Sequence, residues 1–125
     1  MTLPRLGSVV RRPFPRGRTN RPPGALNATE RRYLAHLEAR QRRGEIAGLW
    51  PHPFRLQLAP KTTYQPDFLV MLPDGRLELH EVKGWMQDDA AVKLKVTSEI
   101  YWLFPVYVVR EKPRGVFTLR SMDRA

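Results

Sequence analysis

The chain contains no cysteine. Neither disulfides nor thiolate–metal sites can therefore hold its fold together, and cysteine-based nucleophilic chemistry is excluded. No apolar run approaches the length needed to span a bilayer, and the N-terminus lacks a hydrophobic signal core. We therefore expect a soluble, cytoplasmic protein. No acidic residue occurs among residues 1–29, and the three histidines, His36, His52 and His80, form no cluster in sequence. That scatter argues against a histidine-rich metal site.

What is present is positive charge. Lys and Arg number 22 against 12 Asp and Glu in 125 residues, a net charge of +10. A polyanionic partner accounts for this most economically, and nucleic acid is the commonest one. Basic membrane-binding segments are usually amphipathic helices, whereas the basic stretch here is studded with proline. Six arginines (Arg5, Arg11, Arg12, Arg16, Arg18, Arg21) fall within residues 1–29, together with Pro4, Pro13, Pro15, Pro22 and Pro23. Proline blocks helix and ladder alike, so residues 1–26 read as an extended or disordered arm suited to lying along phosphates. Residues 27–125 read as one folded domain.

That domain opens on a helix signal. Asn27 or Thr29 can cap it, Glu30 sits where the helix dipole favours a carboxylate, and Tyr33, Leu34 and Leu37 form an apolar stripe. Gly44 ends it. Alternation over Trp50–Leu58 predicts a strand, and Tyr64–Leu72 a second. A turn at Pro73–Asp74–Gly75 then leads to a third strand, Arg76–Lys83, antiparallel to the second. A helix from Asp88 to about Trp102 follows, stopped by Pro105, then a strand Val106–Val109 and a short one at Val116–Leu119. The expected class is α/β with a mixed sheet flanked by helices.

The hairpin carries the chemistry. Glu81 and Lys83 are two apart in a strand, so they share a face about 6–7 Å apart. The turn folds them back toward Asp67, bringing two carboxylates and an ammonium to one sheet end. Carboxylate ligation suits Mg²⁺ (or Mn²⁺), a cation that polarises phosphodiesters. A solvated cross-strand ion pair is the plainer reading of the same residues. Glu-x-Lys alone is too common to decide between them.

Pro66-Asp67…Glu81-Val82-Lys83 resembles the motif of the PD-(D/E)XK nuclease superfamily. Together with Glu30-Arg-Arg-Tyr33-Leu34, Gly44-Glu-Ile46 and Gly84-Trp85, it resembles small phage nucleases related to junction-resolving endonucleases. The resemblance runs over roughly residues 28–110. It implies a restriction-endonuclease-like core, with Asp67, Glu81, Lys83 and Glu30 catalytic. Glu30, Asp67, Glu81 and the Val82 carbonyl would hold the metal, Glu38 being the competitor for the helix position. Lys83 would position the attacking water, giving 5′-phosphate and 3′-hydroxyl ends. It further implies branched DNA such as a Holliday junction as substrate, a homodimer, and action in a phage-infected or bacterial cytoplasm. General duplex or single-strand cleavage, and a non-catalytic DNA-binding protein of the same fold, are the alternatives.

DNA contacts are expected from Arg11, Arg12, Arg16, Arg18 and Arg21, and from Lys93 and Lys95 on the second helix, where a solvated face is equally consistent. Gln57 is a weaker substrate-contact candidate. His80 alternates away from the Glu81/Lys83 face and is expected in sheet packing or at the surface. Trp50 and Trp85 can be core or DNA-facing.

Overall fold

The structure, a computed structural model, describes residues 25–83 and 88–122. Arg11, Arg12, Arg16, Arg18, Arg21, Gly84 and Trp85 lie outside the described residues. The elements in chain order are α1 (Ala28–Arg42), β1 (Gly48–Pro51), β2 (Leu56–Ala59), β3 (Thr62–Tyr64), β4 (Phe68–Met71), β5 (Leu77–Val82), α2 (Asp88–Ile100), β6 (Val106–Glu111) and β7 (Phe117–Ser121). Five strands form a mixed sheet in the order β1-β4-β5-β6-β7, and β2 and β3 form a separate two-stranded sheet. All neighbours pair antiparallel except β5 and β6, which run parallel with α2 as their crossover. The fold is therefore α/β, as the sequence pattern predicts.

Helix α1 starts where a capping box satisfies its first free amides. The Glu30 N–H donates to Asn27 Oδ1 at 2.8 Å, and the Asn27 N–H donates to Glu30 Oε1 at 2.9 Å. The helix buries Glu30, Tyr33 and Leu37, residues three and four apart on one stripe. Tyr33 and Leu37 pack with Phe68, Val70, Val82 and Val109 on one face of the sheet. On the other face Leu69, Leu79, Val106 and Val108 meet Leu94 of α2 and Leu56 and Tyr64 of the β2–β3 hairpin. Each such Leu or Phe contributes about 1.5–3 kcal/mol of burial. The sheet thus lies between α1 on one side and α2 with the hairpin on the other.

The β4–β5 hairpin turns at Leu72–Gly75, where the Gly75 N–H donates to Leu72 O at 2.9 Å. Gly75 has φ +92, a conformation that favours glycine. Gly48 serves a different need: a Cβ there would meet the Trp50 ring at 2.7 Å. Trp50 is half-buried and packs on the α2-side core, which places it in packing.

Three expected elements differ. Trp50–Leu58 is not one strand: β1 ends at Pro51, and β2 begins at Leu56 in the other sheet. Pro51 and Pro53 lack ladder donors, and His52 between them has φ +44, outside the extended region. Tyr64–Leu72 likewise divides around Pro66 into β3 and β4. Helix α2 ends at Ile100 rather than near Trp102, because residues 101–104 turn ahead of Pro105.

Candidate metal centre

The pairing register builds the site. Pro51 pairs with Phe68, and one step further the His52 N–H donates to Asp67 O at 2.8 Å. On the other side Phe68 pairs with His80, so one step beyond that pair Asp67 lies beside Glu81. His52, Asp67 and Glu81 therefore form a row across the ends of β1, β4 and β5. The first turn of α1 brings Glu30 to the same end.

Within this row Asp67 Oδ2 accepts the Val82 N–H at 2.8 Å, standing in for the strand that β4 no longer supplies. His52 Nε2 lies 3.9 Å from Glu30 Oε1 and 4.0 Å from Asp67 Oδ1. One donor atom from each of Glu30, His52 and Asp67 falls within 4.8 Å of the others. Glu81 extends the group: its Oε1 accepts the Tyr64 hydroxyl at 2.7 Å, and Lys83 Nζ lies 3.1 Å from Oε2. Glu30 and Glu81 are buried, while Asp67 keeps 13 % of its side chain exposed and Lys83 38 %. The acids are largely withdrawn from water, and the lysine is the most exposed member of the group.

Such crowding shifts the acids in opposite directions. Burial raises the Asp67 carboxyl well above the ordinary range, and the charges of Glu81 and Glu30 add to this. Glu81 is also raised by burial, with Lys83 and the Tyr64 hydroxyl offsetting part of the effect. Burial acts upward on Glu30 too, but contacts with His52, the Asn27 N–H and Asp67 outweigh it and hold Glu30 at about 2. Lys83 is disfavoured as a cation by burial, yet the Glu81 charge prevails and its pKa is raised. Tyr64 is pushed well above its usual value by burial and by Glu81, so it remains a donor.

This donor set fits a divalent cation. Glu30, His52 and Asp67 supply ligand atoms of the right chemistry at mutual reach, and a cation among them would cancel the opposition between the carboxylates.

No protein-family model, no curated protein and no solved structure matches the chain. Its chemistry rests on its own side chains. No helix among the described residues is long and apolar enough to cross a membrane.

Of the residues singled out from sequence, Glu30, Asp67, Glu81, Val82 and Lys83 come together at this sheet end. Glu38 is exposed on α1 and stands apart from them, so the helix contributes Glu30. Lys93 and Lys95 are exposed on α2, and Lys93 Nζ donates to Thr63 O at 3.3 Å, one residue from Tyr64. Gln57 is exposed on β2. His80 is buried on the α1 side of the sheet, bonded through Nδ1 to the Tyr33 hydroxyl at 2.6 Å and through Nε2 to Glu78 at 3.0 Å.

His52, isolated in the sequence, is not isolated in the structure: it stands beside Asp67 and Glu30. Its separation along the chain hid it. The available signal was its place between two prolines, where a regular strand cannot continue. Tyr64 ends β3 and donates its hydroxyl to Glu81, a pairing that no local pattern in the sequence signals.

Proposed function

We propose that the chain is a metal-dependent DNA endonuclease with a restriction-endonuclease-like core of the PD-(D/E)XK kind. The observation that carries this reading is the meeting of Glu30, Asp67 and Glu81 at one sheet end, with Lys83 on Glu81. A solvated ion pair would not gather three largely buried acids around one lysine. The surplus of positive charge supports a polyanionic substrate.

Glu30, Asp67 and Glu81 would hold Mg²⁺ or Mn²⁺, and the Val82 carbonyl lies on the strand edge where the Val82 N–H already meets Asp67. The bound cation supplies Lewis-acid activation of a phosphodiester. Lys83, held as an ammonium, places a proton donor beside the site and stabilises charge developing on phosphate oxygens. Tyr64 fixes one oxygen of Glu81 and leaves the other to Lys83. Arg11, Arg12, Arg16, Arg18 and Arg21 would bind phosphates, joined by Lys93 and Lys95 on α2. The resemblance to junction-resolving nucleases favours branched DNA and a homodimer, because symmetric cutting calls for two equivalent sites.

The test is cleavage of a labelled four-way junction, a linear duplex and a single strand in Mg²⁺, Mn²⁺ or EDTA. Cleavage is expected with metal, lost in EDTA, and lost in Glu81→Gln and Lys83→Ala while DNA binding persists. Undiminished cutting by either variant, or in EDTA, refutes the assignment.

A further inference from the structure

An all-oxygen site is the arrangement suited to Mg²⁺, which binds through carboxylates, phosphates and water and holds imidazole poorly. This site is not all oxygen. The His52 side chain is 9 % exposed, and its Nε2 sits nearly equidistant from Glu30 Oε1 and Asp67 Oδ1, at 3.9 and 4.0 Å. Donors sharing one ion at bonds of about 2.0–2.2 Å lie about 3–4 Å apart, from neighbouring to opposite positions. Both separations fall in that span. The backbone keeps the ring there: the His52 N–H is bonded to Asp67 O, and the residue holds φ +44 between two prolines.

We propose that His52 is a metal ligand, and that it turns this centre from a magnesium site into one preferring imidazole-accepting divalent cations such as Co²⁺ or Zn²⁺. The inference rests on reading the Glu30–Asp67 group as a cation site and concerns which cation it selects. Neutral imidazole is a good ligand for the later first-row metals, whose affinities also exceed that of Mg²⁺ at mixed N/O sites. The competing role for His52 is an imidazolium that merely neutralises Glu30 and Asp67.

The two roles separate without DNA. The full chain is titrated with Mg²⁺, Mn²⁺, Co²⁺ and Zn²⁺ by calorimetry, alongside His52→Asn, His52→Gln and the control His36→Asn. Wild type and His36→Asn are expected to bind Co²⁺ and Zn²⁺ on the order of tenfold or more tighter than Mg²⁺. His52→Asn and His52→Gln should lose about ten- to a hundredfold in transition-metal affinity with little change for Mg²⁺. Should neither variant fold, imidazole ¹⁵N spectra of the wild type decide the matter. Zn²⁺ should shift His52 Nε2 and leave the nitrogens of His80, engaged with Tyr33 and Glu78, in place.

Transition-metal affinities within about twofold of wild type in folded His52 variants overturn the proposal, as does a His52 nitrogen unmoved by saturating Zn²⁺. Neither result touches the nuclease reading, which the cleavage assay tests. Conversely, His52-dependent metal binding by a wild type that cuts no DNA upholds the ligand and refutes the nuclease.

Discussion

Replacing Asp67 by asparagine should make the metal-free protein more stable at neutral pH, although it removes a residue assigned to the site. In the unfolded chain Asp67 ionises near its ordinary value of 3.8, whereas in the folded chain burial and the charges of Glu81 and Glu30 hold its pKa well above that. For an acid raised in this way, folding is opposed by ionisation. The contribution of Asp67 to stability is therefore greatest below 3.8, falls as pH rises, and levels off once pH passes its folded-state pKa. Asparagine has no charge to disfavour, and its side-chain oxygen can still accept the Val82 N–H that Asp67 accepts at 2.8 Å.

The size follows from the geometry. Donor atoms of Glu30 and Asp67 lie within 4.8 Å, and two unit charges at that separation repel by about 3 kcal/mol at an effective dielectric near 20. Attraction of Asp67 to Lys83 offsets part of this, leaving about 1–2 kcal/mol in favour of asparagine. For a domain of this size that corresponds to a Tm about 5–10 °C higher. Melting is followed by circular dichroism in EDTA at several values between pH 4 and pH 8. The two proteins should melt together at the acid end and diverge as pH rises. Saturating Mn²⁺, at about a hundred times its Kd, should then stabilise wild type by about 2.7 kcal/mol and not the variant, reversing their order. An Asp67→Asn protein that melts at or below wild type at every pH in EDTA refutes the picture of opposed carboxylates.

Other perturbations separate the site from its scaffold. Tyr64→Phe removes a hydrogen bond to a buried carboxylate, a loss of about 1.5–3 kcal/mol where the acceptor is charged. Mn²⁺ titration and steady-state kinetics should show weaker metal binding and lower kcat with an unchanged KM for DNA, and an unchanged kcat would remove Tyr64 from the site. Tyr33→Phe strands buried His80 Nδ1 on the far side of the sheet and should cost about 1–3 kcal/mol by denaturant melt. Its cleavage rate per folded molecule should stay at the wild-type value, and a slower rate would link that chain of bonds to the chemistry. Deleting residues 1–24 should weaken DNA binding and flatten the slope of log K against log salt, read by fluorescence anisotropy. Equal slopes would make those residues bystanders.

How much of this was legible in the chain depended on sequence distance. Asp67 and Glu81 are each seven residues from Asp74, so a hairpin turning there must set them side by side, and the turn residues announced it. The Asn27–Glu30 capping pair was equally local. One feature was not local. The β2–β3 hairpin intervenes between β1 and β4, and its Leu56 and Leu58, alternating with Phe54 just before it, look continuous with Trp50. Period-two patterning records which face a residue occupies, and says nothing about which sheet it belongs to. Pro51 and Pro53 carried the correction, since neither can donate to a ladder.

The same break that spoiled the strand assignment is what makes the centre. A strand continuing past Pro51 would keep alternating, whereas at φ +44 the backbone departs from that course and His52 stands between Glu30 and Asp67. Left-handed backbone at a non-glycine residue costs about 1–3 kcal/mol and persists where its surroundings over-determine it. Here the surroundings are the His52 N–H on Asp67 O and the flanking prolines. Strain at His52 and charge opposition at Asp67 thus act against stability at the same point, and one cation would relieve the second while giving the first a purpose. A fold selected for stability alone would place an extended residue at position 52 and an amide at position 67. Keeping both costs together is the pattern expected where a binding site, rather than the core, dictates the sequence.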